Sequence, residues 1–253
     1  MEQQTGFREF FRYTALSVLG TLGVSCYILA DTFFVSKGLG ANGLTALNLA
    51  IPVYNFIHGS GLMLGMGGAT KFCVCKSQQK TREDIDKIYT NTIYLGILFS
   101  AIFVLIGLLF GERLALLLGA DKIVFDMTTT YLRWLLLFSP AFILNDILLC
   151  FVRNDDSPRL AMMAMIIGNF SNIILDYIFI FPMKMGIFGA VFATGLAPII
   201  GIIIMLLHWI KKQNTFQLCR TKLEANIVSQ ELALGFPSLI SQLSSGIVMI
   251  TFN

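Results

Sequence analysis

The sequence predicts an all-α polytopic membrane protein: a six-helix bundle followed by the start of a seventh transmembrane helix. Composition is the first reason. Of 253 residues, 56% are hydrophobic and 13% charged, and the mean hydropathy is +0.75; a soluble domain carries about 25% charge. The second reason is that the apolar residues gather in runs long enough to cross a bilayer, at about 20 residues per helix. In hydrocarbon such a run must satisfy its backbone polar groups internally, which makes it a helix. The third is the placement of Lys and Arg, which cluster in alternate connections. The net charge of +3 says little beside that placement. With no basic face outside the short loops, a nucleic-acid partner is excluded.

The first span covers residues 13–35. Gly20, Gly23 and Ser25 keep part of it small, Asp31 lies in its final third, and Tyr27 is one turn earlier on the same face. Residues 36–43 are glycine-rich and short, a tight helix–helix turn. The second span, 44–72, holds Pro52 and then Gly59, Gly61, Gly65, Gly67 and Gly68. Close packing through small residues is favoured there over a pliant cavity wall. A hydrophilic stretch at 76–87 leads to the third span, 88–110, and Glu112, Arg113, Asp121 and Lys122 fill the next connection.

The fourth span, 124–152, carries Pro140 and two embedded charges, Arg133 and Asp146. They are too far apart along one helix to pair. Roles at the rim, with the side chains reaching for the interface, are expected ahead of a cavity-lining role. Pro158 is a natural stop before the fifth span, 160–181. The sixth span runs over 187–210 with Thr194 and Pro198, residues 213–226 are polar, and a seventh apolar segment begins near Glu231 and includes Pro237. Residues 1–226 are therefore expected to form a six-helix lobe, and 227–253 the beginning of a second. A faint echo laying 11–32 on 232–253 matches Ser17 with Ser238 and Leu22 with Leu243. With the restart after six spans, it suggests a six-plus-six transporter cut early in its second half.

Basic residues orient the chain. Arg8 and Arg12, Lys71, Lys76, Lys80, Arg82 and Lys87, Arg153 and Arg159, and Lys211, Lys212, Arg220 and Lys222 fall in the N-terminus and the even-numbered connections. The odd ones hold Lys37, Arg113, Lys122 and Lys184. The N-terminus and even connections are expected in the cytoplasm. Glu2 and Glu9 before a long first run, itself interrupted by an acid, argue against a cleaved signal peptide. The five cysteines are scattered; Cys73 and Cys75 lack a metal spacing, and His58 and His208 lie far from them. Small buried hydrophobes are the expectation.

Chemistry concentrates in the fifth span. Asn169, Asn172 and Asp176 share one helix face, with Phe170, Ile174 and Ile178 elsewhere. An acid at that depth costs about 3 kcal/mol or more, so such groups face a bundle interior or wet cavity and belong to ion or substrate pathways. With Asp31 it makes a pair of acids that cannot both ionise cheaply in low dielectric. They should share a proton or a cation. Tyr27, Asn172 and Thr194 supply hydroxyl and amide groups that serve either ion. Phe33, Phe34, Phe56 and Tyr177 could bind flat cations, though lipid-facing roles are favoured.

Several motifs in order resemble the multidrug and toxic compound extrusion (MATE) transporters, in the DinF-like branch. The carriers are Leu29-Ala-Asp-Thr-Phe-Phe-Val35 with Gly38-Leu-Gly-Ala-Asn-Gly-Leu44, Arg153-Asn-Asp155, Gly168-Asn-Phe-Ser-Asn-Ile-Ile-Leu-Asp176 and Gly189-Ala-Val-Phe-Ala-Thr194. The resemblance covers the chain as an N-terminal lobe. It implies two six-helix bundles around a central cavity and alternating access driven by H+ or Na+. It maps the ion-coupling cluster onto Tyr27, Asp31, Asn172, Asp176 and Thr194, with Na+ as a candidate at Asp31, Asn172, Asp176 and Thr194. No cofactor beyond the coupling ion is implied. The chain departs from the family pattern at Leu16, where many relatives carry proline, and at Asp156-Ser157, where glycine is more usual.

The expected activity is ion-coupled export of amphipathic, often cationic, organic compounds across a bacterial-type inner membrane, with the second lobe required. A flippase for a lipid-linked precursor would favour several cavity-facing Arg or Lys, and Arg133 is the one embedded. A membrane receptor would leave two acids on separate helices unexplained. An enzyme is not expected: no nucleophile–base pair and no His-Glu-x-x-His motif is present.

Overall fold

The computed structural model describes the backbone of residues 2–252 and the side chains of residue 18 and of residues 27–245. The readings made on Leu16, Ser17, Gly20, Leu22, Gly23, Ser25 and Cys26 lie outside the described side chains. Among the described residues every regular element is a helix: α1 (Glu2–Ser77), α2 (Arg82–Leu117), α3 (Phe125–Leu137), α4 (Ser139–Asn154), α5 (Pro158–Ile180), α6 (Gly186–Met205), α7 (Leu207–Ile210) and α8 (Ala225–Phe252). By length and composition α2, α5 and α6 continued by α7 suit a membrane crossing. So does the α3–α4 pair, taken as one bent span.

The first two predicted spans are the two limbs of α1. They meet at Gly40, whose φ of 69° and ψ of −162° fall in a region that only glycine occupies at low cost. The expected turn over 36–43 thus narrows to a single residue, because one glycine supplies the whole reversal. Tyr27 and Tyr54 lie almost equally far on either side of it, and their hydroxyls meet at 2.5 Å. The limbs therefore run side by side as a hairpin. Gly38 serves packing instead: a Cβ there would drive into the side chain of Ile180 on α5.

The fourth span breaks at Phe138, where α3 and α4 diverge by 47°. Pro140 stands in the first turn of α4. Lacking an N–H, it cannot bond the Leu136 carbonyl, and its ring crowds that carbonyl. α2 starts sooner than the hydropathy suggests because Thr81 caps it: the Thr81 hydroxyl accepts from Asp84 N at 3.3 Å and donates to Asp84 Oδ2 at 2.8 Å.

The second limb of α1 is the post around which the bundle packs. Its glycines are contact points, as favoured from the sequence. A Cβ at Gly61 would stand 2.6 Å from Asp146 Oδ2, and one at Gly65 2.9 Å from the Asp146 carbonyl. Gly67 faces the backbone of Glu231 on α8, and Gly235 of α8 faces the backbone of Met63. Glycine on both partners lets these two helices cross backbone to backbone.

The even-numbered, basic connections meet at one end of the bundle. Asp155, just past α4, gathers them: it accepts from Lys76 Nζ at 3.0 Å, His208 Nε2 at 2.9 Å and Thr215 N at 2.8 Å. Residues 213–224 are then strapped across that end. Gln217 N donates to Asp86 Oδ1 at 2.7 Å, Cys219 N to Thr90 Oγ1 at 3.0 Å and Glu224 N to Asn91 Oδ1 at 2.8 Å. Between these ties Phe216 is fully buried among Phe72, Tyr89, Phe151 and Trp209. Polar backbone is thus fixed by side-chain acceptors while an aromatic plug supplies the apolar contact.

Candidate functional site: a buried carboxyl pair near an internal cavity

The site is assembled where α1, α5 and α6 converge. α5 turns Asn172 and Asp176 inward and leaves Phe170, Ile174, Tyr177 and Ile178 on its exposed face, as the stripe in the sequence requires. Asn169, one turn earlier, lines the same interior with its Nδ2 unpartnered. α6 can approach α5 because Gly168 has no side chain; a Cβ there would lie 3.1 Å from the Ala197 carbonyl. That approach sets Thr194 next to Asn172. The first limb of α1 adds Tyr27 and Asp31, one turn apart and both buried. All five residues expected at the site are brought together.

Asp31 and Asp176 lie within hydrogen-bonding reach of each other. Asp176 is 0% exposed, and Oδ1 of each carboxyl is buried without a hydrogen-bond partner. Two carboxylates in contact at this depth cannot both be charged and unattended. They hold a proton between them, or a cation.

The Asn172 amide can meet the pair in two orientations. With its nitrogen turned to Asp176, it donates to Oδ2 at 3.1 Å while its oxygen accepts from Thr194 N at 3.2 Å. That orientation suits a carboxyl pair neutralised by a proton. The opposite orientation sets the amide oxygen beside Asp176, where it is tolerable if that carboxyl carries a proton to donate or if a hard cation lies between them. The unpartnered Oδ1 atoms and Thr194 Oγ1, which donates to Ala190 O at 3.0 Å and keeps a free lone pair, complete an oxygen set that fits Na+. The residues present therefore accept either ion.

Tyr27 also walls a cavity of about 360 Å³, together with Tyr54, His58, Leu62, Asp146, Met162, Met165 and Asn169; the two carboxyls themselves do not line it. A smaller cavity of about 60 Å³ joins Tyr27, Tyr54, His58 and Asn145 to Asn172 and Thr194. Phe33, Phe56 and Tyr177 are exposed on the outside of the bundle and line neither cavity, in keeping with lipid-facing roles. Arg133 is half-exposed and stands 3.7 Å from Glu112, a rim position.

Asp146 departs from the rim role expected of it: it is 4% exposed, and its Oδ2 lies 2.9 Å from His58 Nδ1. His58, Tyr54 and Tyr131 were not singled out from the sequence. Tyr131, fully buried on α3, has its hydroxyl beside Thr194 and within electrostatic reach of Asp31 and Asp176. The available signal was of the kind that exposed Asp31: single polar residues inside apolar runs, Tyr54 and His58 being one helical turn apart.

Comparison with known proteins follows the same lines. The family described as MatE matches residues 17–178. The chain is 24% identical over its whole length to the multidrug export protein MepA of Staphylococcus saprophyticus, covering 56% of that protein, and equally to MepA of Staphylococcus aureus. It thus spans about half the length of the curated relatives it matches. Among solved structures, an inward-facing multidrug resistance MATE family transporter of the MOP superfamily superposes with a TM-score of 0.82 at 27% identity, over 88% of this chain and 51% of that one. A MOP superfamily transporter from Pyrococcus furiosus, described as having a binding pocket of reversed polarity that suggests a different function, gives 0.85 at 26% identity, over 94% and 53%.

Proposed function

The chain belongs to the MatE family, and on that premise we propose that it is the N-terminal lobe of an ion-coupled exporter of amphipathic organic cations. Residues 1–226 form that lobe, and 227–253 open a second lobe that completes the transport path. The observation that carries the reading is the Asp31–Asp176 contact. A pair that must be neutralised by H+ or Na+ reports the ion's presence as a change in local charge. That change favours one arrangement of α1, α5 and α6 over another. Only a difference in ion affinity between two arrangements can drive alternating access. Release of the ion leaves a negative site in a low-dielectric wall, which draws an organic cation into the nearby cavity; departure of the cation restores ion binding.

The cavity supports a cationic substrate. Its wall combines the aromatic faces of Tyr27 and Tyr54, the polarisable Met162 and Met165, and the acid Asp146, against one guanidinium, Arg153. A flippase for an anionic lipid-linked precursor remains the second reading. The reversed pocket polarity reported for the Pyrococcus protein is the kind of change it would need, and a wall with a single guanidinium, matched by one carboxylate, speaks against it. We place the chain in a bacterial-type plasma membrane with its N-terminus and strapped end in the cytoplasm. The Lys and Arg residues gathered at that end support the orientation.

The test is drug resistance in cells producing the full-length transporter. Asp31→Asn and Asp176→Asn should each abolish resistance to organic cations at unchanged membrane expression. Full resistance in both variants would refute the coupling role.

A further inference from the structure

Glu231 of α8 is a buried acid that belongs neither to the carboxyl pair nor to the cavity walls. It lies about two helical turns beyond the point where Glu224 N is tied to Asn91 Oδ1. The residue is 0% exposed, and both carboxyl oxygens are buried without a hydrogen-bond partner. What seals it is the crossing of α8 on the second limb of α1. Gly67 faces the Glu231 backbone, Gly235 faces Met63, and Gly59 faces Leu239 and Gln242. Contact therefore recurs once per turn on both helices, with the acid at the strapped end of the row.

The surroundings of the carboxyl suit a protonated acid and not a carboxylate. From α2, Thr92 stands beside it, in room left by Gly68, where a Cβ would strike the Thr92 hydroxyl. That hydroxyl gives its hydrogen to Ile88 O at 3.0 Å. It has nothing left to donate to a carboxylate, but it keeps a lone pair for a carboxyl that brings its own proton. The charged group facing Glu231 is Lys71 of α1, one turn past Gly67, with Cys75 and Glu224 around it. Its ammonium is not hydrogen-bonded to the acid. α4 presents only the ring of Phe151 on this side of Gly68. A carboxylate sealed here would stand uncompensated.

We propose that Glu231 is a proton-binding site that latches α8 onto α1: the crossing closes with the carboxyl protonated and donating to Thr92 Oγ1, and it parts when the proton leaves. On parting, the carboxyl gives its proton to water that enters between the helices. The carboxylate that results pairs with the Lys71 ammonium, whose own charge is unchanged. Water cannot reach either oxygen while the helices touch, so proton exchange waits for their separation. Proton binding and helix contact are thus one linked equilibrium. The latch needs neither the Asp31–Asp176 pair nor a substrate, and so stands apart from the export reading.

The test is the distance between spin labels on genetically encoded, non-cysteine side chains at Thr70 of α1 and Leu234 of α8, both exposed. It is measured on the full-length transporter in lipid nanodiscs from acid to alkaline pH. One short distance is expected at acid pH, replaced by a longer one toward alkaline pH. Glu231→Gln, whose amide carries a donor at every pH, should keep the short distance throughout. Thr92→Val removes the acceptor and should move the changeover to lower pH by about half a unit to one unit, the worth of one hydrogen bond. It gives an independent reading should Glu231→Gln not fold. A distance that ignores pH in the wild type, a pH response that survives Glu231→Gln, or a changeover unmoved by Thr92→Val would overturn the proposal and leave Glu231 as a packing residue. A Glu231-dependent response in a transporter whose Asp31→Asn and Asp176→Asn variants keep full resistance would uphold the latch and count against ion-coupled export alone.

Discussion

At the scale of single residues, Asn172 is the informative one. Its amide bridges Asp176 and Thr194 in one orientation and opposes a carboxylate in the other. Leucine at 172 fills the space but supplies neither donor nor acceptor, leaving Asp176 with one partner fewer in a site closed to water. Losing one partner of a buried charged hydrogen bond costs about 1.5–3 kcal/mol. Asn172→Leu is therefore predicted to reduce ion affinity roughly 10- to 150-fold, measured as the ion concentration for half-maximal transport. Asn172→Asp, which adds a third carboxyl, should strengthen dependence on a cation rather than abolish it. The site was legible in the sequence because each of Tyr27, Asp31, Asn172, Asp176 and Thr194 interrupts an apolar run at helical spacing. His58 and Asp146 interrupt apolar runs too, but they lie on different helices with 88 residues between them. No spacing rule links such a pair; it exists only through the way α4 lies on α1.

At the scale of elements, the hairpin in α1 depends on a single dihedral pair. Replacing Gly40 by alanine leaves open space around the new methyl, so any effect comes from backbone strain. The penalty should be about 1–3 kcal/mol, seen as a lower thermal midpoint in detergent. An unchanged midpoint would mean the limbs can reverse elsewhere. The sequence announced a turn over 36–43 but could not say which of its glycines carried it, because Gly38 and Gly43 serve packing and only Gly40 has positive φ.

The strap makes a second prediction at this scale. Asp155 lies beyond the spanning segments. Burial alone would raise its carboxyl, but hydrogen bonds from His208, Thr215 and Lys76 outweigh that and pull it down to about 2. A carboxylate depressed below its free value of about 3.9 lends stability that is complete above that value. The contribution is lost as pH falls through about 2. Hydrogen exchange of the Thr215 and Gln217 amides should therefore report an attachment that is insensitive to pH from neutral to about 4. Phe216→Ala, which removes the aromatic plug, should expose the same amides already at neutral pH. Hydropathy could mark 213–226 only as polar; that its backbone is received by Asp86, Thr90, Asn91 and Asp155 follows from tertiary placement.

At the scale of the whole molecule, the chain brings together a buried carboxyl pair, a cavity and a strapped end. α8 lies against the post formed by the second limb of α1, with glycine on both sides of the crossing. The all-helical architecture and the order of its helices were readable from run lengths, and the meeting of the even connections at one end from the alternation of those runs. The bend of 47° in the fourth span was foreshadowed by Pro140, though not its size, which depends on how α3 and α4 each pack. On the proposed division into lobes, residues 1–253 by themselves should bind the coupling ion yet fail to move a substrate, since the opposite wall of the path is supplied by the second lobe. Net ion-coupled uptake by this chain alone in liposomes would contradict that division.

The central claim is that Asp31 and Asp176 exchange one small cation as the substrate crosses. The most direct measurement is transport of a fluorescent organic cation by the full-length protein in proteoliposomes, with Na+ and pH gradients imposed separately. The account predicts that one of the two gradients drives transport in the wild type and that neither does so in Asp31→Asn or Asp176→Asn. Gradient-driven transport of equal rate in the wild type and both variants would contradict it.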